Sequence, residues 1–108
     1  MARTHIPHDA LVGNNVIMAT NSLIGGGCKL NDFVYVGLNA HIHQWLNIGE
    51  GSILGMNSAT VNNVPPFLTV AGVPSKILKV NEEGLKRRKY SQYEIDSFKN
   101  SRKESSFH

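Results

Sequence analysis

At 108 residues, 41% hydrophobic and 18% charged, the chain has the size and composition of one small domain. Its longest apolar run falls far short of the roughly 20 residues that span a bilayer, and no basic segment followed by an apolar one opens it, so it reads as soluble, unexported and cytoplasmic. A single cysteine, Cys28, excludes an internal disulfide or a Cys-rich zinc site and suits a reducing compartment. The net charge of +3 is unevenly placed: between Arg3 and Pro65 only Arg3, Asp9, Lys29, Asp32 and Glu50 are charged, whereas the C-terminal third is basic. Five acids interleave there, which argues against general nucleic-acid binding.

Reading every sixth residue from Ile6 gives Ile6, Val12, Met18, Ile24, Leu30, Val36, Ile42, Ile48 and Leu54, all aliphatic or methionine. A helix would carry successive sixth residues round by about 240°, and a flat strand of period 2 would not single out every third member of one face. The chain therefore turns every six residues. Small or turn-tolerant residues follow each aliphatic (Gly13, Ala19, Gly25, Asn31, Gly37, Gly49, Gly55), where a sharp bend or a positive φ is expected. Compact side chains stand four positions on, from Ala10 to Ser58. Three such edges make one triangular coil, and residues 1–62 are expected to stack about three coils at roughly 4.8 Å. A β-sandwich with Gly-rich turns is the competing architecture.

So short a stack has a thin core, since each inward aliphatic contributes about 1.5 to 3 kcal/mol at full burial. Packing prisms side by side and covering an end are the expected remedies. Pro65 and Pro66 interrupt the repeat, and residues 63–80 read as an extended exit segment. Residues 81–108 read as helical: Asn81 can cap a helix from Glu82 to about Lys89, and Ser91 with Glu94 forms a capping box for another to about Arg102, with the last residues through His108 frayed.

Four of the five histidines, His5, His8, His41 and His43, fall in the prism. An 18-residue period puts His8, Gly26 and Gln44 in one column and His5, Leu23 and His41 in another, so the histidines gather at one corner. Column members two coils apart are about 10 Å apart, and only a neighbouring copy of the chain could face them with histidines of its own. Imidazole suits a general base at neutral pH or a metal ligand. The metal reading resembles γ-class carbonic anhydrases, with His5 and His41 matching two ligands, but the third position falls at Leu46, which cannot ligate.

His5-Ile6-Pro7-His8-Asp9, Val12-Gly13-Asn14-Asn15, His41-Ile42-His43-Gln44, Val64-Pro65-Pro66 and Asn81-Glu82-Glu83-Gly84-Leu85-Lys86-Arg87-Arg88 together resemble the C-terminal half of bacterial UDP-N-acetylglucosamine acyltransferases, over nearly the whole chain. These enzymes of lipid A synthesis move a hydroxyacyl chain from acyl carrier protein to the sugar 3-hydroxyl. The resemblance implies an all-β, left-handed parallel β-helix followed by short helices; the generic crossover rule would have favoured the right hand. It also implies a homotrimer, acyl carrier protein and a UDP-amino sugar as partners, and no cofactor, metal or stable membrane insertion. By position, His8 resembles the general base, Asp9 the carboxylate supporting it, and Gly26 the residue whose backbone N–H holds the oxyanion. His5, His43 and Gln44 match the substrate cleft. Asn81, Glu83, Arg87 and Arg88 match the nucleotide-binding end, where arginine forks suit a diphosphate. Met56 matches the position that measures the acyl chain, and its bulk implies a short donor.

Gly27 stands where the family has a further histidine, Leu38 where a glycine is common, and the family's N-terminal half has no counterpart in these residues. Two further readings follow: transfer of an acyl or acetyl group to another nucleotide-linked amino sugar, and a noncatalytic trimeric remnant or scaffold that keeps the fold.

Overall fold

The computed structural model describes residues 6–105, with side chains through residue 101; His5 and the extreme C-terminus through His108 lie outside them. Two-residue strands recur every six residues because each edge of the prism gives four of its six residues to a corner. They assemble three faces. The first holds β1 (Leu11–Val12), β4 (Lys29–Leu30) and β7 (Asn47–Ile48). The second holds β2 (Ile17–Met18), β5 (Tyr35–Val36) and β8 (Ile53–Leu54), and the third β3 (Leu23–Ile24), β6 (His41–Ile42) and β9 (Ala59–Thr60). Pairing is parallel, with Leu11 against Lys29, Ile17 against Tyr35 and Leu23 against His41, an offset of 18 residues on every face. Three coils of a parallel β-helix result, as expected.

The second residue of each strand points inward. Met18, Ile24, Leu30, Val36, Ile42, Ile48 and Leu54 are at most 3% exposed, whereas Ile6 and Val12, with no coil beneath them among the described residues, are 48% and 39% exposed. Positive φ does not fall where the small residues suggested. It falls two positions later, at Asn15, Asn21, Gly27, Phe33, Asn39, Trp45, Gly51 and Asn57. The glycines beside the strands serve a different need: a methyl group built on Gly37 would stand 2.7 Å from Leu54 O, on the backbone of the next coil. They permit stacking rather than left-handed φ.

The exit segment is extended, and its first half still belongs to the stack. Val64 bridges to Ile48, and β10 (Leu68–Ala71) adds to the second face parallel to β8 with Thr69 against Ile53, an offset of 16. Two residues are lost from the turn between Thr60, which still pairs with Ile42 at an offset of 18, and Val64, ahead of Pro65 and Pro66. β11 (Lys76–Val80) then turns back antiparallel on β10 and ends that face. Helix α1 (Glu82–Arg87) starts on Asn81, whose Oδ1 accepts from Gly84 N at 3.1 Å. Helix α2 (Gln92–Ser105) runs slightly further than expected and opens on the capping box: Ser91 Oγ accepts from Glu94 N at 3.1 Å, and Glu94 Oε1 accepts from Ser91 N at 3.0 Å. Leu85 and Ile95 bury themselves with Phe67 against the C-terminal end of the prism, giving it an apolar cap.

Candidate active site

Each corner between faces is a stack of turns one coil apart, so a site residue's corner is fixed by its place in the six-residue repeat. Residues 7–10, 25–28 and 43–46 form the corner joining the third face to the first. Ala10 N donates to Pro7 O at 3.0 Å, leaving His8 and Asp9 at the tip of that turn, both exposed. The Asp9 carboxylate lies over Gly26 in the coil above: a methyl group on Gly26 would sit 3.3 Å from Asp9 Oδ2. No hydrogen bond joins His8 to Asp9 among the described residues. Gly26 O accepts from Trp45 N at 2.9 Å, while the Gly26 N–H meets no acceptor among the described residues, which leaves it able to donate to a ligand. His43 and Gln44 follow on the third coil, exposed, and the Cys28 thiol donates to His43 O at 3.0 Å, holding that turn from inside. An open groove of ≈ 500 Å³ runs from this corner onto the third face, over Leu23, Gly26, His41, His43, Gln44 and Val61. His41 is thus on the flat of the face and His43 on its edge. Leu46, the failed ligand position, packs against the core.

The second group stands elsewhere. Asn81, Glu83, Arg87 and Arg88 gather with Asn15, Phe33 and Gly51 at the corner joining the first face to the second. Asn81 does double duty there, since its Nδ2 also donates to Gly51 O at 2.7 Å and so fastens α1 to the prism. The Arg88 guanidinium lies 3.5 Å above the Phe33 ring centroid, a cation–π contact. Arg87 Nε reaches Glu83 Oε1 at 3.2 Å, an exposed pair that a phosphate could replace at little cost. Met56 occupies the third corner, 64% exposed, above Leu38. Within one chain the His8 and Arg88 groups therefore sit on opposite edges of the first face, and Met56 lies across the third face from His8. The sequence columns grouped the histidines but gave no position for the helix residues relative to them.

Sequence reading also passed over Phe33 and Trp45. Both are bulky residues at positive φ, and the signal available was their place in the repeat, where the other corners carry Asn or Gly. Trp45 explains Gly27: a side chain on Gly27 would collide with the indole, so the two positions share one volume.

A family profile described as UDP N-acetylglucosamine O-acyltransferase, domain 2, matches residues 63–103. The acyl-[acyl-carrier-protein]–UDP-N-acetylglucosamine O-acyltransferase of Burkholderia orbicola is 40% identical over 99 residues, which are 92% of this chain and 38% of that protein. Over these residues the chain is similar to the C-terminal part of such acyltransferases. The structure of UDP-N-acetylglucosamine acyltransferase from Campylobacter jejuni superposes with a TM-score of 0.85 at 36% identity, over 93% of this chain and 39% of that one. The structure of LpxA from Acinetobacter baumannii gives 0.88 at 34% identity over the same shares. The prism has the left-handed winding of these family structures. The chain spans a little over a third of the length of the relatives it matches. No helix among the described residues is long and apolar enough to cross a membrane.

Proposed function

We propose that this chain contributes to an O-acyltransferase site that moves a hydroxyacyl group from acyl carrier protein to the 3-hydroxyl of UDP-N-acetylglucosamine, in the cytoplasm. The supporting observation is the separation just described. The general-base group and the diphosphate-type group occupy opposite edges of one prism face, so a single cleft holding both needs a second copy, and a trimer packed about a threefold axis presents the arginine edge of one prism to the histidine edge of the next. Exposed Leu11, Ile17, Leu23 and Tyr35 on the outer faces supply apolar surface for that packing.

In this reading an imidazole nitrogen of His8 takes the proton of the sugar 3-hydroxyl as its oxygen attacks the thioester carbonyl carbon. Gly26 N–H donates to the developing oxyanion. The C–S bond then breaks, and the departing carrier sulfur receives the proton back from the imidazolium, leaving an ester and a free thiol. Asp9 beside the cleft favours the transient positive charge on the ring. Lys86, Arg87, Arg88 and Lys89 give acyl carrier protein, an acidic partner, a surface whose grip weakens with salt. Met56 limits the acyl chain, so short donors turn over best and a series peaking at the longest chain contradicts that part.

The test compares wild type with His8→Ala in an assay with UDP-N-acetylglucosamine and short acyl-carrier-protein donors. Rates are expected to fall by about 10²- to 10⁴-fold. Equal background rates in both proteins would sink the enzyme reading in favour of a scaffold. One observation favours a different nucleotide-linked amino sugar as acceptor: the indole of Trp45 fills the place of the family's histidine at Gly27.

A further inference from the structure

Three turns of the stack, two at the arginine corner and one at the histidine corner, put an aromatic ring on a residue at positive φ: Phe33, Phe67 and Trp45 respectively. Two of these rings are engaged on what they present outward. Phe33 carries the Arg88 guanidinium. Phe67 lies on Gly51, meets Tyr90 edge-on at 5.9 Å and is 5% exposed beneath the helices. Trp45 repeats the Phe67 arrangement at the histidine corner, its ring on Gly27, yet it is 71% exposed and no ring or cation among the described residues covers it. A bulky residue held in the left-handed region costs backbone strain, and a largely exposed side chain recovers little of that cost by burial.

We propose that the open face of the Trp45 indole is a platform for the pyranose ring of the amino-sugar substrate, a proposal that rests on the acyltransferase reading above. A pyranose ring has one face lined by C–H groups, which carry slight positive charge and suit the negative face of an indole. Trp45 N is hydrogen-bonded to Gly26 O, and His43 and Gln44 immediately precede it, so a ring lying on the indole has its hydroxyls beside the groups assigned to the transfer. The nucleobase is the competing flat ligand, but in a nucleotide sugar the diphosphate stands between it and the pyranose, so it lies on the far side of the arginines that the neighbouring copy presents. Gly27 makes the platform possible, since a side chain there would lift the indole off the corner.

Trp45 is the one tryptophan of the chain, so its emission reports directly on this site. UDP-N-acetylglucosamine should change the intensity and wavelength of that emission, saturating at the concentration where calorimetry registers binding, while UDP alone leaves it unmoved. Trp45→Phe should keep the affinity within about threefold, and Trp45→Ala should lose roughly three- to tenfold with an unchanged melting temperature. Calorimetric binding of UDP-N-acetylglucosamine without a change in emission would overturn the platform and leave the acyltransferase reading standing. An equal response to UDP would assign the indole to the base, and emission that shifts with protein concentration alone would assign it to a neighbouring copy. Either result overturns the proposal. No binding of the nucleotide sugar at all would remove both readings together.

Discussion

The histidine corner and the arginine corner are built from the same turn, yet one is bare and the other is tied down. At the arginine corner Asn81 bridges α1 to Gly51 O, Arg88 rests on Phe33, and Phe67 is buried on Gly51. At the histidine corner the side chains of His8, His43 and Gln44 have no hydrogen-bond partner among the described residues, and Trp45 is on the surface. What differs is the chain that follows: the C-terminal helices cover one edge of the prism and leave the other to a ligand or a second subunit. Stability is therefore expected to be concentrated at one corner and chemistry at the other.

The sharpest way to break this contrast is to truncate the two equivalent rings. Phe67→Ala removes a buried ring from under the helices and should cost about 3 to 5 kcal/mol in denaturant unfolding. Trp45→Ala, at the matching place of the histidine corner, should stay within about 0.5 kcal/mol of wild type. Comparable losses in the two variants would mean that Trp45 is structural.

Asn81→Ala comes next in size. It removes the helix cap and leaves Gly51 O without its donor, at a combined cost of about 2 kcal/mol. Thermal unfolding should show the fall together with a loss of helical signal, while the prism keeps its sheet signal. An unchanged melting temperature would show that α1 is held by Leu85 alone. Gly26→Ala tests the bare corner instead: the added methyl meets only the flexible Asp9 carboxylate, at 3.3 Å, so the melting temperature should hold within a degree or two while the acyl-transfer rate falls.

Much of this division was legible in the residue order. The six-residue spacing of Ile24, Leu30 and Val36 fixed their inward direction because only a chain turning at that interval buries all three, and Ser91 with Glu94 announced its own cap through local chemistry. The phase of the left-handed residues was not legible. Gly25 and Gly37 mark positions where the next coil comes too close for a side chain, a tertiary reason, whereas the strained φ falls on Gly27 and Asn39, where the turn itself demands it. Nor did Pro65 and Pro66 reveal that the strand after them rejoins the stack, since β10 is held there by pairing with β8 sixteen residues earlier rather than by any repeat of its own. The relation between the histidine and arginine groups depends on where the helices fold back, which a periodic pattern does not encode.

The smallest expected effect concerns acid. The hydrogen bond from Ser91 N, followed by that from Ser91 Oγ, holds the Glu94 carboxyl below the usual glutamate value. A carboxylate whose folded pKa is lowered adds stability above its unfolded pKa, and that stability drains away as pH falls through the folded value. The capping box should therefore support α2 at neutral pH and fail on acidification below the ordinary glutamate range. Glu94→Gln, which cannot ionise, should reduce helical circular dichroism slightly at neutral pH and match wild type in acid. The prism at the histidine corner, remote from this cap, should show the same amide-exchange protection in both proteins. If it loosens with the cap, the two corners are mechanically coupled and the contrast between them fails.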